Sequence, residues 1–265
     1  MLTKLLKYEY KTTARILVPI GLGVLGLSLL SGLLSRLLEP VPDLPAALDW
    51  TQGLLAGAVV LALVFVLAAC FFVNVQRFYR LLGDQGYLML SLPVPAWQHM
   101  AAKLLCACSW TVVMFFYLIL CGDLMAGNYA DILHISGQVQ EPALWGILLL
   151  AVLMLLLVVA VAYLQFYLCC AIGAQFGQQR LLASIVTYFV LSFVEQILFV
   201  ALVMMSLFGA VWNTSLWYGL ANTLEENPEL VAVWMLVGID LLLVLIGAIH
   251  WAVTQWLVTR RLNLA

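Results

Sequence analysis

ALWGILLLAVLMLLLVVAVAYLQFYLCCAI, from Ala143 to Ile172, runs without one charged side chain. A helix needs about 20 mostly apolar residues to cross a hydrocarbon layer about 30 Å thick, and this stretch exceeds that length. Five more stretches of the same kind flank it: Ile16 to Leu38, Gly53 to Gln76, Met100 to Leu124, Leu181 to Gly209 and Leu230 to Val258. With 66% hydrophobic and 9% charged residues, the composition excludes an ordinary soluble domain, in which about a quarter of residues are charged. The expected fold is all-α, a polytopic membrane protein with six transmembrane helices. Several stretches are longer than a perpendicular crossing requires, so tilted or bent spans are expected.

The gaps between the stretches alternate in charge. One set holds Lys4, Lys7, Lys11 and Arg15, then Arg77, Arg80 and Lys103, then Arg180, then Arg260 and Arg261, which leaves Arg36 alone among the 11 basic residues on the other side. The opposite set holds Glu39, Asp43 and Asp49, then Asp123, Asp131 and Glu141, then Glu225, Glu226 and Glu229. By the positive-inside rule both termini are cytoplasmic, as an even number of crossings requires. Trp50, Trp145, Trp212, Trp217 and Trp234 fall at expected outer edges and Trp97, Trp251 and Trp256 at inner ones, where aromatic belts form. The net charge of -2 conceals this polarity, and no basic patch points to nucleic acid.

Residues 1–15 form a basic segment in which Lys4, Lys7, Lys11 and Arg15 recur at helical spacing, with Leu5, Leu6 and Tyr10 off that stripe. This suits a helix in the headgroup layer, and equally a plain topogenic flank. The first span is too long for the apolar part of a signal peptide and is read as retained. Cys70, Cys106, Cys108, Cys121, Cys169 and Cys170 all lie in or beside spans, which implies small apolar fillers and no disulfide framework. The gaps are too short for an independent core, so residues 1–265 read as one transmembrane domain.

Several motif matches carry no chemistry. Gly21, Gly23 and Gly26 satisfy G-x-G-x-x-G inside a span, without the strand a dinucleotide site needs, and are read as helix contacts. Gly53 with Gly57, and Gly173 with Gly177, are G-x-x-x-G pairs that allow close packing. His99, His134 and His250 are far apart in sequence and no paired Cys ligands accompany them, so no metal site is expected. No nucleophile signature or Walker A loop occurs, and the chain is not expected to be an enzyme.

RFYRLLGDQGYLMLSLPVPAWQHMAAKLL, Arg77 to Leu105, joins the second and third spans. Gly83 and Gly86 permit a turn, Asp84 can cap a short helix, Tyr87, Leu88 and Leu90 offer apolar anchors, and Pro93 with Pro95 ends the segment. Without a partner this is an interfacial loop helix. The order Asp84-Gln85-Gly86-Tyr87, then Leu88 to Leu92, then Pro93-Val94, then Lys103 resembles the membrane subunits of type-2 ABC exporters. The opening MLTKLLKYEYKTTARILVPI, Met1 to Ile20, is similar to the start of small Gram-positive permeases of this kind. The family's frequent Glu before the Gly is Gln85 here.

The resemblance implies that residues 77–99 form a cytoplasmic coupling segment, with Asp84, Gln85, Gly86, Tyr87, Leu88 and Leu90 docking on a separate ATP-binding subunit. It implies a second permease, identical or related, and a place in the bacterial cytoplasmic membrane. ATP and Mg would belong to the partner ATPase and no cofactor to this chain. The substrate would be lipid-like, a peptide or an antibiotic, moved outward.

Two acids lie within spans without a Lys or Arg beside them, Glu195 and Asp240. An ionised carboxylate at the centre of a span costs about 2.5 to 3.5 kcal/mol on insertion scales, so each is expected to be protonated, hydrogen-bonded or water-facing. Ser184, Tyr188, Ser192 and Ser206 share the helix face of Glu195, and Gln165 can join them in one polar strip. That strip is either a substrate path or interhelical bonding that fixes packing. It leaves open an ion-coupled transporter or channel built on Glu195 and Asp240, and a membrane protein that protects by sequestering a toxin. Span five is followed by Trp212 to Leu230, where the resemblance implies short re-entrant outer helices.

Overall fold

The structure, a computed structural model, describes residues 2–38, 46–82, 95–126, 142–176, 179–212, 215, 218–219, 222–223, 225 and 227–260. Six long helices carry the chain: α1 (Leu2–Leu38), α2 (Ala46–Leu81), α3 (Ala96–Ala126), α4 (Pro142–Gly173), α5 (Arg180–Trp212) and α6 (Pro228–Arg260). Each contains a window of mean hydropathy between 2.1 and 3.2 and is long enough to cross a membrane. The chain is a multi-pass helical membrane protein.

The helices outrun the apolar stretches because hydropathy marks only the part suited to hydrocarbon, while the polar flanks remain good helix formers. The largest difference is at the amino terminus. Residues 2–15 are not an element of their own but the first turns of α1, which continues through Pro19. Nothing between Leu2 and Ile16 breaks a helix. Lys4, Lys7, Lys11 and Arg15 are exposed along it, whereas Glu9 and Thr13 are buried on another face. Pro142 and Pro228 occupy the first positions of α4 and α6, where a missing N–H costs nothing. Asn227 precedes Pro228 at a favoured capping position, and Glu229 follows in the first turn.

The described helices group into two compact units. The first contains α1, α2 as far as Phe78 and α3 from Trp97. Its core is a set of stripes at helical spacing: Leu17 and Val24 from α1, Val59, Leu63, Val66 and Cys70 from α2, and Met114 and Cys121 from α3. Small residues on the α1 stripe, Gly21, Ser28, Ser31 and Gly32, let its backbone come close to its neighbours. Tyr117 of α3 uses that approach and donates from Oη to the Gly21 carbonyl at 2.6 Å. Gly23, Gly26, Gly53 and Gly57 behave otherwise: no described atom lies within 4 Å of where a Cβ would stand, so they are not contact points in this chain.

The second unit contains α4, α5 and α6. Helix α4 packs against both others, burying Tyr163, Leu164, Tyr167 and Leu168, and Gly247 of α6 approaches Val161 and Leu164 closely. Gly173, at the end of α4, meets the first turns of α5. A Cβ there would stand 2.7 Å from the Arg180 carbonyl oxygen and 2.8 Å from the Ser184 amide, so no side chain fits. Gly177 lies outside the described residues. Helix α5 is unlike the rest: none of its most apolar window is buried within the chain.

Candidate functional site

Two polar clusters interrupt these apolar packings, one in each unit. In the first, Glu9 is the centre. Its Oε2 accepts from Arg77 Nη1 at 3.0 Å and its Oε1 from Lys103 Nζ at 2.7 Å. Arg77 Nη1 also donates to the Glu9 carbonyl at 2.9 Å and to Thr13 Oγ1. Thr13 in turn donates to the Glu9 carbonyl at 2.9 Å. One carboxylate thereby ties α1, α2 and α3 together. Tyr10, the residue after Glu9 on α1, bonds Ser109 of α3 and lies against the Trp110 ring at a centroid distance of 6.3 Å. His99 is buried on the Lys103 face of α3, one turn before it, and its Nε2 has no hydrogen-bond partner.

In the sequence Arg77 and Lys103 read as topogenic charge and as the two borders of the stretch after the second span, and Glu9 is passed over. The available signal was the position of Lys103 inside the apolar start of its span. A lysine there demands an anion, and Glu9 is the lone acid in a basic segment.

In the second cluster Gln165 of α4 donates from Nε2 to Ser192 Oγ and to Glu195 Oε2 of α5, each at 3.1 Å. The other carboxylate oxygen, Glu195 Oε1, is 2.9 Å from His250 Nε2 of α6. His250 is almost sealed, with 6% of its side chain exposed, whereas Glu195 keeps 33%. Thr254 is buried and donates to the His250 carbonyl at 2.7 Å, while His250 Nδ1 has no partner.

The polar strip of α5 is the face it turns toward α4: Ser184, Tyr188, Ser192 and Glu195 are half-buried, as are Thr187 and Leu191 beside them, while Ile185, Val186, Phe189, Val190, Phe193 and Val194 are exposed. Tyr188 stacks on Phe166 at 4.5 Å, and Ser184 sits against Gly173. The side chain of Ser206 lies outside the described residues. His250, the third member of the carboxylate's environment, is a residue that sequence reading set aside for lack of nearby ligands. Its signal was the period of α6, which places Thr254 and Leu257 on the same buried stripe.

Asp240 does not join this cluster. It precedes His250 by ten residues on α6, about 15 Å along the axis. Its two carboxylate oxygens are buried without a hydrogen-bond partner. Among the described residues no three His, Cys, Asp or Glu side chains converge as a metal site. All six cysteines are free thiols. An open cavity of about 680 Å³ is bordered by Ser31, Ser35, Trp50, Gln52 and Met125, with Gln52 donating to Ser35 at 3.1 Å.

Asp84, Gln85, Gly86, Tyr87, Leu88 and Leu90 lie outside the described residues. Arg77 lies seven residues before Asp84 and Lys103 thirteen after Leu90, and both hold the same carboxylate. Comparison of the chain with protein-family models, with curated proteins and with solved structures gives no match.

Proposed function

We propose that this chain is the membrane-spanning permease subunit of an ATP-driven ABC exporter, with both termini in the bacterial cytoplasm. It has no catalytic residue of its own. A separate ATP-binding subunit supplies hydrolysis, a second permease completes the pathway, and a lipid-like, peptide or antibiotic substrate moves outward. The observation that carries this reading is the clamp on Glu9. A segment that receives force from an ATPase must be rooted in something stiff. The two cations flanking residues 83–94 are both tied to α1 through one buried carboxylate, so a push on the segment reaches three spans together.

The test is association. The chain, purified in mild detergent from its native cell, should carry a stoichiometric ATP-binding protein. Replacing Tyr87 and Leu88 with Asp should abolish that association while the six-helix protein stays in the membrane. Unchanged association would remove the coupling segment from the account.

A second reading rests on the other cluster. A carboxylate with a third of its side chain exposed, bonded to a buried histidine and a glutamine, is the kind of group an ion-coupled transporter uses to take up a proton or cation. Transport that persists without any ATPase would favour it.

A further inference from the structure

The charges of the first cluster do not balance. Arg77 and Lys103 bring two positive charges and Glu9 one negative, on side chains that keep 15%, 7% and 10% of their surface exposed. Among the described residues no other carboxylate pairs with either cation. An uncompensated charge so removed from water is unfavourable unless another group of opposite sign reaches it.

The donors do not balance either. Among the described residues Arg77 makes its hydrogen bonds from Nη1 alone, and Lys103 makes a single bond there from an ammonium that has three N–H groups. His99 adds a third point. It is buried one turn before Lys103 on the same face of α3, and its Nε2 is unpartnered. Arg77 stands at the end of one apolar stretch and Lys103 at the start of another. The ends of such stretches belong near the headgroup layer, where phospholipid phosphates lie.

We propose that Arg77, Lys103 and His99 form a site for one phosphate-bearing anion, with Glu9 holding the two cations at a fixed separation. A guanidinium edge and an ammonium beside it match phosphate oxygens, and the forked guanidinium favours two bonds at once. The surplus of one positive charge equals the single negative charge of a phosphodiester. An anionic phospholipid headgroup is thus the best-matched source, and free phosphate shares the same chemistry. The proposal requires only that the chain is a membrane protein and does not rest on the exporter reading.

The test uses the full chain in mild detergent, titrated with phosphatidylglycerol or phosphatidylcholine and read by native mass spectrometry. One tightly retained phosphatidylglycerol is expected, held more strongly than phosphatidylcholine. Lys103→Met removes the surplus charge and leaves the neutral Glu9–Arg77 pair, so the fold should persist while phosphatidylglycerol binding weakens about tenfold, the loss of one charge-assisted hydrogen bond. His99→Leu alters no ion pair and should weaken it about threefold. Lys7→Met, on the exposed face of α1, should leave it unchanged. Displacement by millimolar inorganic phosphate would assign the site to phosphate from either source; resistance would assign it to the lipid. Equal binding of the two lipids, or wild-type binding in both Lys103→Met and His99→Leu, would overturn the proposal.

Discussion

The two polar clusters solve the same problem, a carboxylate among apolar helices, in opposite ways. Glu9 is enclosed and answered by two full positive charges. Glu195 is a third exposed and answered by a glutamine and a histidine, neither of which need carry charge. A carboxylate fixed between two cations has little freedom to change partner, which suits a joint. A carboxylate held by a glutamine and a histidine, with an open edge, can meet a ligand, which suits a working site. Substitutions can separate these roles.

The largest effect is expected from Glu9→Gln. It leaves Arg77 and Lys103 buried without their anion, and breaking a buried pair in this way costs about 3 to 5 kcal/mol. Thermal unfolding in detergent should show a large loss, with reduced abundance in the membrane. A wild-type melting curve would mean that the joint is not structural. Next is Gly173→Val. The added side chain must push aside the Arg180 carbonyl and the Ser184 amide, and overpacking of this kind costs about 1 to 3 kcal/mol. The same melting experiment reads it, and here the damage should fall on the second unit.

Glu195→Gln keeps size and hydrogen bonding, so its cost in stability should be about 1 kcal/mol. Its effect on transport should exceed its effect on abundance. Equal losses would make the second cluster a packing device like the first. The smallest change in stability is expected for Lys103→Met, about 1 kcal/mol or less of either sign, because a balanced pair remains. A loss as large as that of Glu9→Gln would show that Lys103 is itself required to hold α3 to α1.

The six helices were legible because the bilayer imposes a length and a composition that few other environments demand, as in the uncharged run from Ala143 to Ile172. The polar face of α5 was legible for a related reason: Ser184, Tyr188, Ser192 and Glu195 repeat with the period of a helix, and Gln165 is the nearest polar group that α4 offers them. The partners were less so. Glu9 with Lys103, and Glu195 with His250, lie 94 and 55 residues apart, and helical periodicity orders the residues of one helix but says nothing about which helix comes next to it. A basic residue near a span end satisfies the charge rule whether it faces water or a buried acid. Arg77 and Lys103 therefore read as markers of topology until the fold brought Glu9 between them.

The central claim is that the stretch after α2 engages an ATP-binding partner. A photo-reactive amino acid placed at position 87 and activated in intact native cells tests it most directly. The account expects a cross-link, identified by mass spectrometry, to a protein with an ATP-binding site, at a ratio approaching one partner per chain. A chain that is correctly inserted but cross-links only to lipid would contradict it.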